Sequence, residues 1–417
     1  MNFLLKAATV IDPSSPFHNQ TVDILIENGI IKDIDALIES KENIEKIKLD
    51  TLHVSQGWFD SSVSFGEPGY EERETIAHGL TVAAKSGFTH IAINPNTLPI
   101  TDTSASVGFL KSKALQNAVN LHPIGSLTVK SEGVDMAELY DMQQAGAIAF
   151  GDYKKSMRNP NLLKIALLYA QNFGGLVLSF PQDNNIAGKG MVNEEKQSTL
   201  LGLKGIPALA EELQISRDLF LLEYTGGKLH IPTISTAKSV QLIREAKANG
   251  LQVSCSASIH HLLLTDEELT TFDTNYKVLP PLRTQRDVDA LLDGIEDGTI
   301  DMVTSDHQPM DVEHKKVEFD NAKYGTVGLE TAFGILNNII STEKVIALLT
   351  QGKSIFGIEN IAINKGNKAN LSLFIPKGST TFTDEHIVST SKNSAFIGRT
   401  MKGNTYGIVS NGQMVLK

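Results

Sequence analysis

Hydrophobic and polar residues alternate in short runs at the start of the chain. Residues 3–34 contain strand-like segments separated by turn signals. The clearest signal is Asn28-Gly29, which lies between the apolar runs 22–26 and 30–32. An Asn-Gly pair between two such runs is typical of a two-residue β-hairpin turn. The pattern therefore predicts a small, hairpin-rich β module at this end.

The last part of the chain has the same pattern of short strand-like runs and turn signals. A strand candidate at 370–375 is followed by a second hairpin signal, Asn411-Gly412, again between apolar runs. Because both ends have the same β character, we expect them to share one sheet. The sequence predicts a composite, sandwich-like β domain made from residues 1–55 and 366–417.

The central residues 56–365 have a different pattern, in which apolar runs alternate with stretches of helical period. Repeated β-then-α order with continuously apolar strands is typical of a parallel sheet covered by helices. We predict an α/β fold, a closed (β/α)₈ barrel, with an open doubly wound sheet as the rival; no Gly-rich nucleotide loop supports that rival. The strand-like runs at 89–93, 175–178 and 252–255 follow helical stretches at 71–86, 160–173 and 237–248.

Composition narrows the class of protein. The 417 residues are 41% hydrophobic and 20% charged, which excludes a disordered chain. The net charge of -11 disfavours nucleic acid and anionic membranes as partners. Cys255 is the single cysteine, so no internal disulfide can form. The first residues lack a signal-peptide pattern and no apolar run reaches the ~20 residues of a membrane span, so we expect a cytoplasmic protein.

Motifs at the predicted strand ends carry a family resemblance over nearly the whole chain. They are Glu67-Pro68-Gly69, Asn94-Pro95-Asn96-Thr97, Ala187-Gly188-Lys189-Gly190, Gly205-Ile206-Pro207, Ala210-Glu211, Leu229-His230-Ile231, Ser235-Thr236-Ala237, His260-His261-Leu262, Pro280-Pro281-Leu282-Arg283, Asp306-His307 and Gly325-Thr326-Val327-Gly328-Leu329-Glu330. In this order and spacing they resemble a dihydroorotase, a member of the cyclic amidohydrolase superfamily. Catalytic groups of a barrel enzyme lie at the carboxyl ends of its strands, where these motifs fall.

The resemblance implies a zinc site, since hydrolysis of an unactivated cyclic amide needs a metal-activated water. Most of the family's ligand positions hold other residues here, while Asp306 still matches a ligand. Hydroxyls are poor zinc ligands and phenylalanine offers none. We therefore expect no bound metal or other cofactor, with zinc expected only if the chain is an active hydrolase. The changed positions are Ser62 and Ser64 for the His-x-His pair, Tyr153 for the bridging Asp, and Phe180 and Thr233 for two further histidines.

Substrate recognition is altered as well. The family's carboxylate-binding Arg corresponds to Gly66, and its ring-reading Asn corresponds to Leu279. The other two recognition positions are kept as Asn96 and His307. Asp306 would be a vestigial general base, because no metal-bound water is available for it to activate.

Structural roles are the alternative explanation for several polar residues. His260 and His261 would point to opposite faces of a strand and so could not share one ion. His230 is expected to be a hydrogen-bonded core histidine, and Asp60 to accept main-chain N–H groups at a strand end. For Asp306 and His307, a role in a vestigial pocket and a role in a structural network both stay open.

Two other readings concern charged residues. Carboxylated Lys154 or Lys155, together with Asp152, could in principle rebuild a metal site, but these groups would still lack imidazole partners. Charged residues in helical stretches are expected on ordinary solvated faces. These helical charged residues are Glu211, Glu212, Arg244, Glu245 and Lys247.

The resemblance leads to three functional hypotheses. The first is a catalytically inactive, dihydroorotase-like protein of pyrimidine biosynthesis, acting as a structural or regulatory partner. Aspartate carbamoyltransferase is the implied partner, since ligand-deficient relatives associate with it, and self-association is the other possibility. The second is an active hydrolase that opens the ring amide of dihydroorotate, hydantoin or allantoin. The third is a small-ligand sensor that uses Asn96 and His307.

Overall fold

Strands occupy both the ends and the centre of the chain in the computed structural model, which describes residues 2–39 and 44–417. The described strands are β1 (Asn2–Val10), β2 (Thr21–Glu27), β3 (Ile30–Asp35), β4 (Glu45–Ile47), β5 (His53–Gln56), β6 (Trp58–Val63), β7 (Phe88–Ile93), β8 (Asn120–Gly125), β9 (Ala149–Phe150), β10 (Val177–Leu178), β11 (Val192–Asn193), β12 (Gly205–Ile206), β13 (Leu229–Ile231), β14 (Val253–Ser258), β15 (Met302–Thr304), β16 (Leu371–Thr381), β17 (Thr400–Ser410) and β18 (Gln413–Leu416).

Helices fill the segments between the central strands. None of those in the described ranges is long and apolar enough to cross a bilayer. They are α1 (Ile76–Lys85), α2 (Ser104–Lys113), α3 (Leu139–Gln144), α4 (Pro160–Ala170), α5 (Asn184–Ala187), α6 (Lys196–Leu201), α7 (Ala208–Thr225), α8 (Ala237–Ala248), α9 (Gln285–Glu296), α10 (Val312–Lys315), α11 (Ala332–Ile339), α12 (Thr342–Thr350) and α13 (Gly352–Ile355).

The two chain ends share one mixed sheet, as the sequence predicts. Its order is β18-β17-β16-β5-β1-β2-β3, with β4 added against β1. The ends are joined by the antiparallel pairing of β16 with β5 and by a bridge between Ile30 and Lys368. Both predicted hairpin turns have positive φ at their two central residues, 52° and 78° at Asn28-Gly29 and 51° and 71° at Asn411-Gly412. Such turns require this left-handed backbone, which Asn and Gly tolerate best.

The central strands form the predicted (β/α)₈ barrel. Within the described chain, eight parallel strands pair in the order β6-β7-β8-β9-β10-β13-β14-β15. The circle closes where the Ser64 amide donates to the His307 carbonyl at 2.7 Å, just beyond β6 and β15. Helix α8 covers the predicted 237–248 stretch, and β7 covers 89–93. The strand residues are mostly buried on both faces, which explains their continuous apolar pattern.

Trp58 joins the barrel to the end sheet. Its indole is fully buried and stacks on Phe333, with ring centroids 5.1 Å apart. Phe374 of β16 packs against the same two rings. The indole N–H donates to the Ser55 hydroxyl at 2.9 Å, which satisfies its polar edge. This aromatic cluster fixes the base of the barrel and leaves the carboxyl ends of the strands free to form a site.

Candidate functional site at the carboxyl ends of the barrel strands

A small pocket, with about 30 Å³ of water-accessible volume, lies at the carboxyl ends of the strands. Four of the altered ligand positions line it: Ser62, Tyr153, Phe180 and Thr233. These residues are far apart in the sequence: Ser62 lies near the end of β6, and the other three lie on the loops that follow β9, β10 and β13. The barrel brings them to one cavity, because the ends of parallel strands meet on one face.

The serine hydroxyls that replace the His-x-His pair belong to a hydrogen-bonded chain. The Ser62 hydroxyl donates to Oδ1 of Asp306 at 3.0 Å. The side-chain amide of Asn94 donates to the hydroxyls of Ser62 and Ser64, at 3.1 and 3.3 Å. Ser64 donates in turn to Oδ1 of Asn96 at 3.2 Å. Asn96, a predicted recognition residue, is thus bonded to Ser64, a predicted ligand position.

Asp306 is neutralised by a lysine. Nζ of Lys154 lies 2.9 Å from Oδ2 of Asp306 and 2.8 Å from Oε1 of Gln308. The side chains are only 9% and 2% exposed, so this is a buried ion pair. Both residues have left-handed backbone, with φ of 53° at Lys154 and 48° at Asp306. Sequence reasoning considered Lys154 only for carboxylation and missed Gln308, which supplies a neutral acceptor for the same ammonium.

Tyr153 completes the set of donors around this carboxylate. Its hydroxyl donates to Oδ1 of Asp306 and to Oε1 of Gln308, each at 3.2 Å. Burial, reinforced by the nearby Asp306 charge, raises the pKa of the Tyr153 phenol well above its usual value. The phenol therefore stays protonated and serves as a donor. Both oxygens of Asp306 are now occupied by side-chain donors of the protein itself.

Phe180, which lines the pocket, belongs to the same buried apolar cluster as Leu279. They belong to one buried cluster with Ala187, Ile206 and Ala210. The first replaces a metal-binding histidine and the second an Asn that reads the substrate ring in the family that the sequence resembles. Side chains that would have faced ions and a polar ring instead pack against each other.

Gly66, at the position of the family's carboxylate-binding Arg, lies in a tight loop. A Cβ atom added there would be 1.6 Å from the carbonyl oxygen of Tyr70. The loop is held by main-chain bonds from Gly66 to Glu74 and from Tyr70 to Gly66, at 2.8 and 2.9 Å. An arginine therefore cannot be placed here unless the loop moves.

Asp152 and Lys155, two of the three residues considered for a rebuilt metal site, make their hydrogen bonds away from Asp306. Asp152 accepts the Ser126 hydroxyl at 2.6 Å and the Thr128 amide at 3.1 Å. Nζ of Lys155 donates to the Ser131 carbonyl at 3.1 Å. These two groups thus serve the loop that follows β8.

His230 and Asp60 have the structural roles that the sequence predicts. The two ring nitrogens of His230 are bonded to the hydroxyls of Ser254 and Ser256, at 2.9 and 3.2 Å. Burial lowers the pKa of His230 to about 3, so the ring is neutral. Asp60 accepts the amides of Ser62 and Ser305, at 3.0 and 2.9 Å.

The expected geometry of His260 and His261 is wrong. They lie in a 3₁₀ turn, Ile259–Leu262, and not on a strand. Their ring centroids are only 4.5 Å apart, and both rings are bonded to the hydroxyl of Ser258. Burial is the main cause that lowers the pKa of each ring. They form a neutral, buried pair, which supports a structural role for a different reason.

His307 also makes main-chain contacts. Its Nδ1 accepts the amides of Gly328 and Leu329, at 3.2 and 3.4 Å, and its ring meets Phe65 edge-on. Burial lowers the pKa of His307, which favours the neutral ring. Because Nδ1 accepts hydrogen bonds, the proton of the neutral ring lies on Nε2. Nε2 is buried and has no hydrogen-bond partner in the described part of the chain.

The prediction of a solvated face is wrong for Glu211. This residue is 1% exposed and accepts the amides of Ser235 and Thr236, at 2.7 and 3.1 Å, and the Ser239 hydroxyl at 2.7 Å. The guanidinium of Arg283 lies 3.7 Å from the same carboxylate. The helical pattern could not reveal this, because the partners come from other elements of the barrel.

The residues present do not fit a catalytic metal. Catalytic zinc needs three protein ligands, usually imidazole, thiolate or carboxylate groups. Within the described ranges, no group of three or more His, Cys, Asp or Glu residues is placed to hold an ion. Asp306 is the remaining carboxylate of the six family positions, and Lys154 places a positive charge beside it. The donor set favours an ammonium in this place and disfavours a dication.

Comparison with known proteins places the chain in a family. A profile described as "Dihydro-orotase-like" matches residues 53–239. The dihydroorotase of Pelotomaculum thermopropionicum is 39% identical, with 100% of this chain and 99% of that protein aligned. The chain belongs to the dihydroorotase family. The dihydroorotase of Geobacter metallireducens is 36% identical, with 100% of both chains covered.

Solved structures agree on the fold of this dihydroorotase-family chain. The L-hydantoinase (dihydropyrimidinase) of Arthrobacter aurescens superposes with a TM-score of 0.85 at 22% identity, covering 100% of this chain and 96% of that chain. A D-hydantoinase gives 0.84 at 18% identity, with 100% and 95% covered. At this level of identity the likeness shows the barrel fold alone.

Proposed function

We propose that this dihydroorotase-family chain does not perform zinc-dependent hydrolysis and acts in pyrimidine biosynthesis as a cytoplasmic structural or regulatory subunit. Its proposed partner is aspartate carbamoyltransferase. The barrel of residues 56–365 and the composite β domain would form the framework of this subunit. The observation that carries the loss of catalysis is the buried Lys154–Asp306 ion pair. The partner rests on the family resemblance.

The chemistry of the pocket supports the loss of catalysis. Ring-amide hydrolysis needs a water that is made nucleophilic and a carboxylate that is free to take its proton. Here Asp306 accepts bonds from Ser62, Tyr153 and Lys154. An ammonium group has no vacant orbital for a water oxygen, and both oxygens of Asp306 are already engaged by donors of the protein. Neither requirement is met.

An active cyclic amidohydrolase is the second candidate, and the comparisons favour it by name. The quoted relatives are named dihydroorotase, and they align over the whole chain. Neither name describes a non-catalytic subunit. This candidate requires the pocket to recruit zinc through Asp306 and through groups that now form hydrogen bonds. The substrate class would be dihydroorotate, a hydantoin or allantoin.

One assay separates the two candidates. Purified protein is incubated with zinc or cobalt and with dihydroorotate or carbamoyl aspartate, and ring absorbance is followed. The proposal expects a rate equal to that of the buffer blank. Turnover well above the blank would establish the second candidate. Co-purification with aspartate carbamoyltransferase from cell extract tests the partner, and a protein that never associates with it would contradict that part.

Restoring the family's ligands tests the barrel frame. The variant carries Ser62→His, Ser64→His, Tyr153→Asp, Phe180→His and Thr233→His, made with and without Lys154→Ala. We expect zinc to bind only when Lys154 is also removed, because its ammonium competes for Asp306. Gly66→Arg is left out, since the loop around Tyr70 has no room for it. Zinc per chain is measured by elemental analysis.

A further inference from the structure

A second cavity lies at the amino end of the barrel, opposite the altered pocket. Its water-accessible volume of about 540 Å³ is within the ~300–1,000 Å³ of small-molecule sites. The barrel contributes His90 of β7 and Asn120 of β8 to its lining. The end sheet contributes its two Asn-Gly hairpin turns, and the segment 358–370 that leads into β16 supplies the remaining wall. Both parts of the fold therefore bound this cavity.

The two hairpin turns meet at one side of the cavity. A Cβ atom added to Gly29 would be 3.1 Å from Cα of Gly412, so the turns lie against each other. Nδ2 of Asn411 donates to Oδ1 of Asn120 at 3.1 Å, which fastens one turn to the barrel. The carbonyl of Gly29 accepts the amide of Ala369 at 2.8 Å, which fastens the other turn to the segment before β16. These bonds fix the walls relative to one another, as in a preformed ligand site.

The barrel side of the cavity is uncharged. Nε2 of His90 accepts the side-chain amide of Asn370 at 2.8 Å. Nδ1 of His90 therefore carries the ring proton and donates to Nε2 of His122 at 2.9 Å, and the two rings stack with centroids 5.2 Å apart. Burial lowers the pKa of His90 well below its usual value and that of His122 to about 4. Both rings are neutral at pH 7, so neither attracts a charged group.

Three isoleucines give the cavity an apolar wall. Ile30 follows the first hairpin turn, and Ile358 and Ile361 precede β16. All three are partly exposed, so they still have apolar surface in contact with water. A ligand with an aliphatic group would remove this surface from water, which favours binding.

Two side chains of opposite charge line the same cavity. Lys368 and Glu359 are exposed, and within residues 2–39 and 44–417 neither side chain forms a salt bridge or a hydrogen bond. The lysine can bind a carboxylate and the glutamate an ammonium, through charge-assisted hydrogen bonds. One charge of each sign matches a ligand that also carries one of each. We propose that this cavity binds a free α-amino acid with an aliphatic side chain.

Other ligand classes match this lining less well. A nucleotide or another multiply charged anion would meet one ammonium and one carboxylate, and the net charge of -11 would also repel it. An uncharged ring would leave both Lys368 and Glu359 without a partner. An aliphatic amino acid uses the two charges and the isoleucine wall together, and the volume that it leaves is filled by water.

The first experiment measures binding to the full chain by isothermal titration calorimetry at neutral pH. The probes are leucine, isoleucine and valine, and we expect saturable binding of at least one with a Kd below about 1 mM. Two analogues of leucine separate the charges: 4-methylpentanoate lacks the ammonium, and 3-methylbutylamine lacks the carboxylate. Each should bind about 5-fold more weakly than leucine. Binding by none of the three amino acids, or equal binding of leucine and both analogues, would overturn the proposal.

A second experiment locates the site. Lys368→Gln and Glu359→Gln should each raise the Kd of the bound amino acid about 5-fold. The matched controls are Lys189→Gln and Glu385→Gln, which remove the same charges at exposed positions outside the cavity and should leave the Kd unchanged. Lys368→Gln should not weaken 3-methylbutylamine, which has no carboxylate to lose. Circular dichroism checks that all four variants fold. Equal Kd values for the cavity variants and their controls would refute binding at this cavity.

Discussion

Two buried acidic clusters lie toward the same end of the barrel. They differ in how closely their residues match the family's motifs. In one, Glu211 is held by main-chain amides and lies 3.7 Å from the Arg283 guanidinium. In the other, Asp306 is paired with Lys154 at 2.9 Å. The first cluster is built from motifs that carry the family resemblance. The second combines the retained Asp306 with Ser62 and Tyr153, which stand at altered ligand positions.

The difference shows what the retained motifs do. Arg283 donates to Asn193 at 2.9 Å, to the Ile206 carbonyl at 3.0 Å and to the Ser235 hydroxyl at 3.1 Å. One guanidinium thus joins the loop around β11, the ribbon strand β12 and the loop after β13. Five donors in a rigid fork suit arginine to this task. Through these bonds the retained motifs cross-link the loops at the barrel mouth.

The largest effect is expected from breaking the retained cluster. Arg283→Ala leaves Glu211 buried without a cation and removes three hydrogen bonds. We expect a loss of about 3–5 kcal/mol in the free energy of unfolding, measured by urea denaturation. Arg286→Ala is the control, since Arg286 is exposed on α9. Equal small effects of the two variants would show that the cluster does not stabilise the mouth.

Breaking the altered cluster is expected to cost less. Lys154→Met should lower the free energy of unfolding by about 2–3 kcal/mol, because Asp306 keeps its two hydroxyl donors. The double variant Lys154→Met, Asp306→Asn should recover most of this, since no buried charge is left. Lys155→Met is the control and should change stability by less than about 0.5 kcal/mol. A double variant no more stable than Lys154→Met would argue against charge pairing as the cause.

The smallest effect concerns pH and His230, which lines the altered pocket. Burial lowers the folded-state pKa of His230 to about 3, from 6.5. The unfolded chain therefore binds a proton that the folded chain excludes, and stability falls as pH drops below 6.5 toward 3. For this residue the loss between pH 7 and pH 5 is about 2 kcal/mol. His230→Gln should reduce the measured pH dependence by that amount; an unchanged dependence would place the titration elsewhere.

Local patterns were enough to predict much of the fold. The hairpin turns at Asn28-Gly29 and Asn411-Gly412 depend only on the backbone freedom of these residues. Helix α8 was predicted with its bounds, because its capping Thr236 and its apolar period are both visible in the chain. Ser62, Tyr153, Phe180 and Thr233 line one pocket. This can be predicted once the carboxyl ends of the barrel strands are recognised in the sequence, because those ends meet on one face.

Long-range contacts could not be predicted in the same way. Glu211 has a charged neighbour and lies in a helical stretch, so the pattern indicated a solvated face. Its main-chain partners belong to the loop after β13. Lys154 has a left-handed backbone conformation in the structure that pairs it with Asp306, and no sequence pattern predicts this conformation. Gln308 enters the site because β15 closes against β6, which is a property of the whole barrel.

Zinc content tests the central claim most directly. The protein is purified without chelators, dialysed against excess zinc and then against buffer, and the metal per chain is determined by elemental analysis. The Lys154–Asp306 ion pair predicts far less than one zinc per chain, in the wild type and in Lys155→Met alike. One or two zinc ions per chain, lost on Asp306→Asn, would contradict the account and establish a metal centre in this pocket.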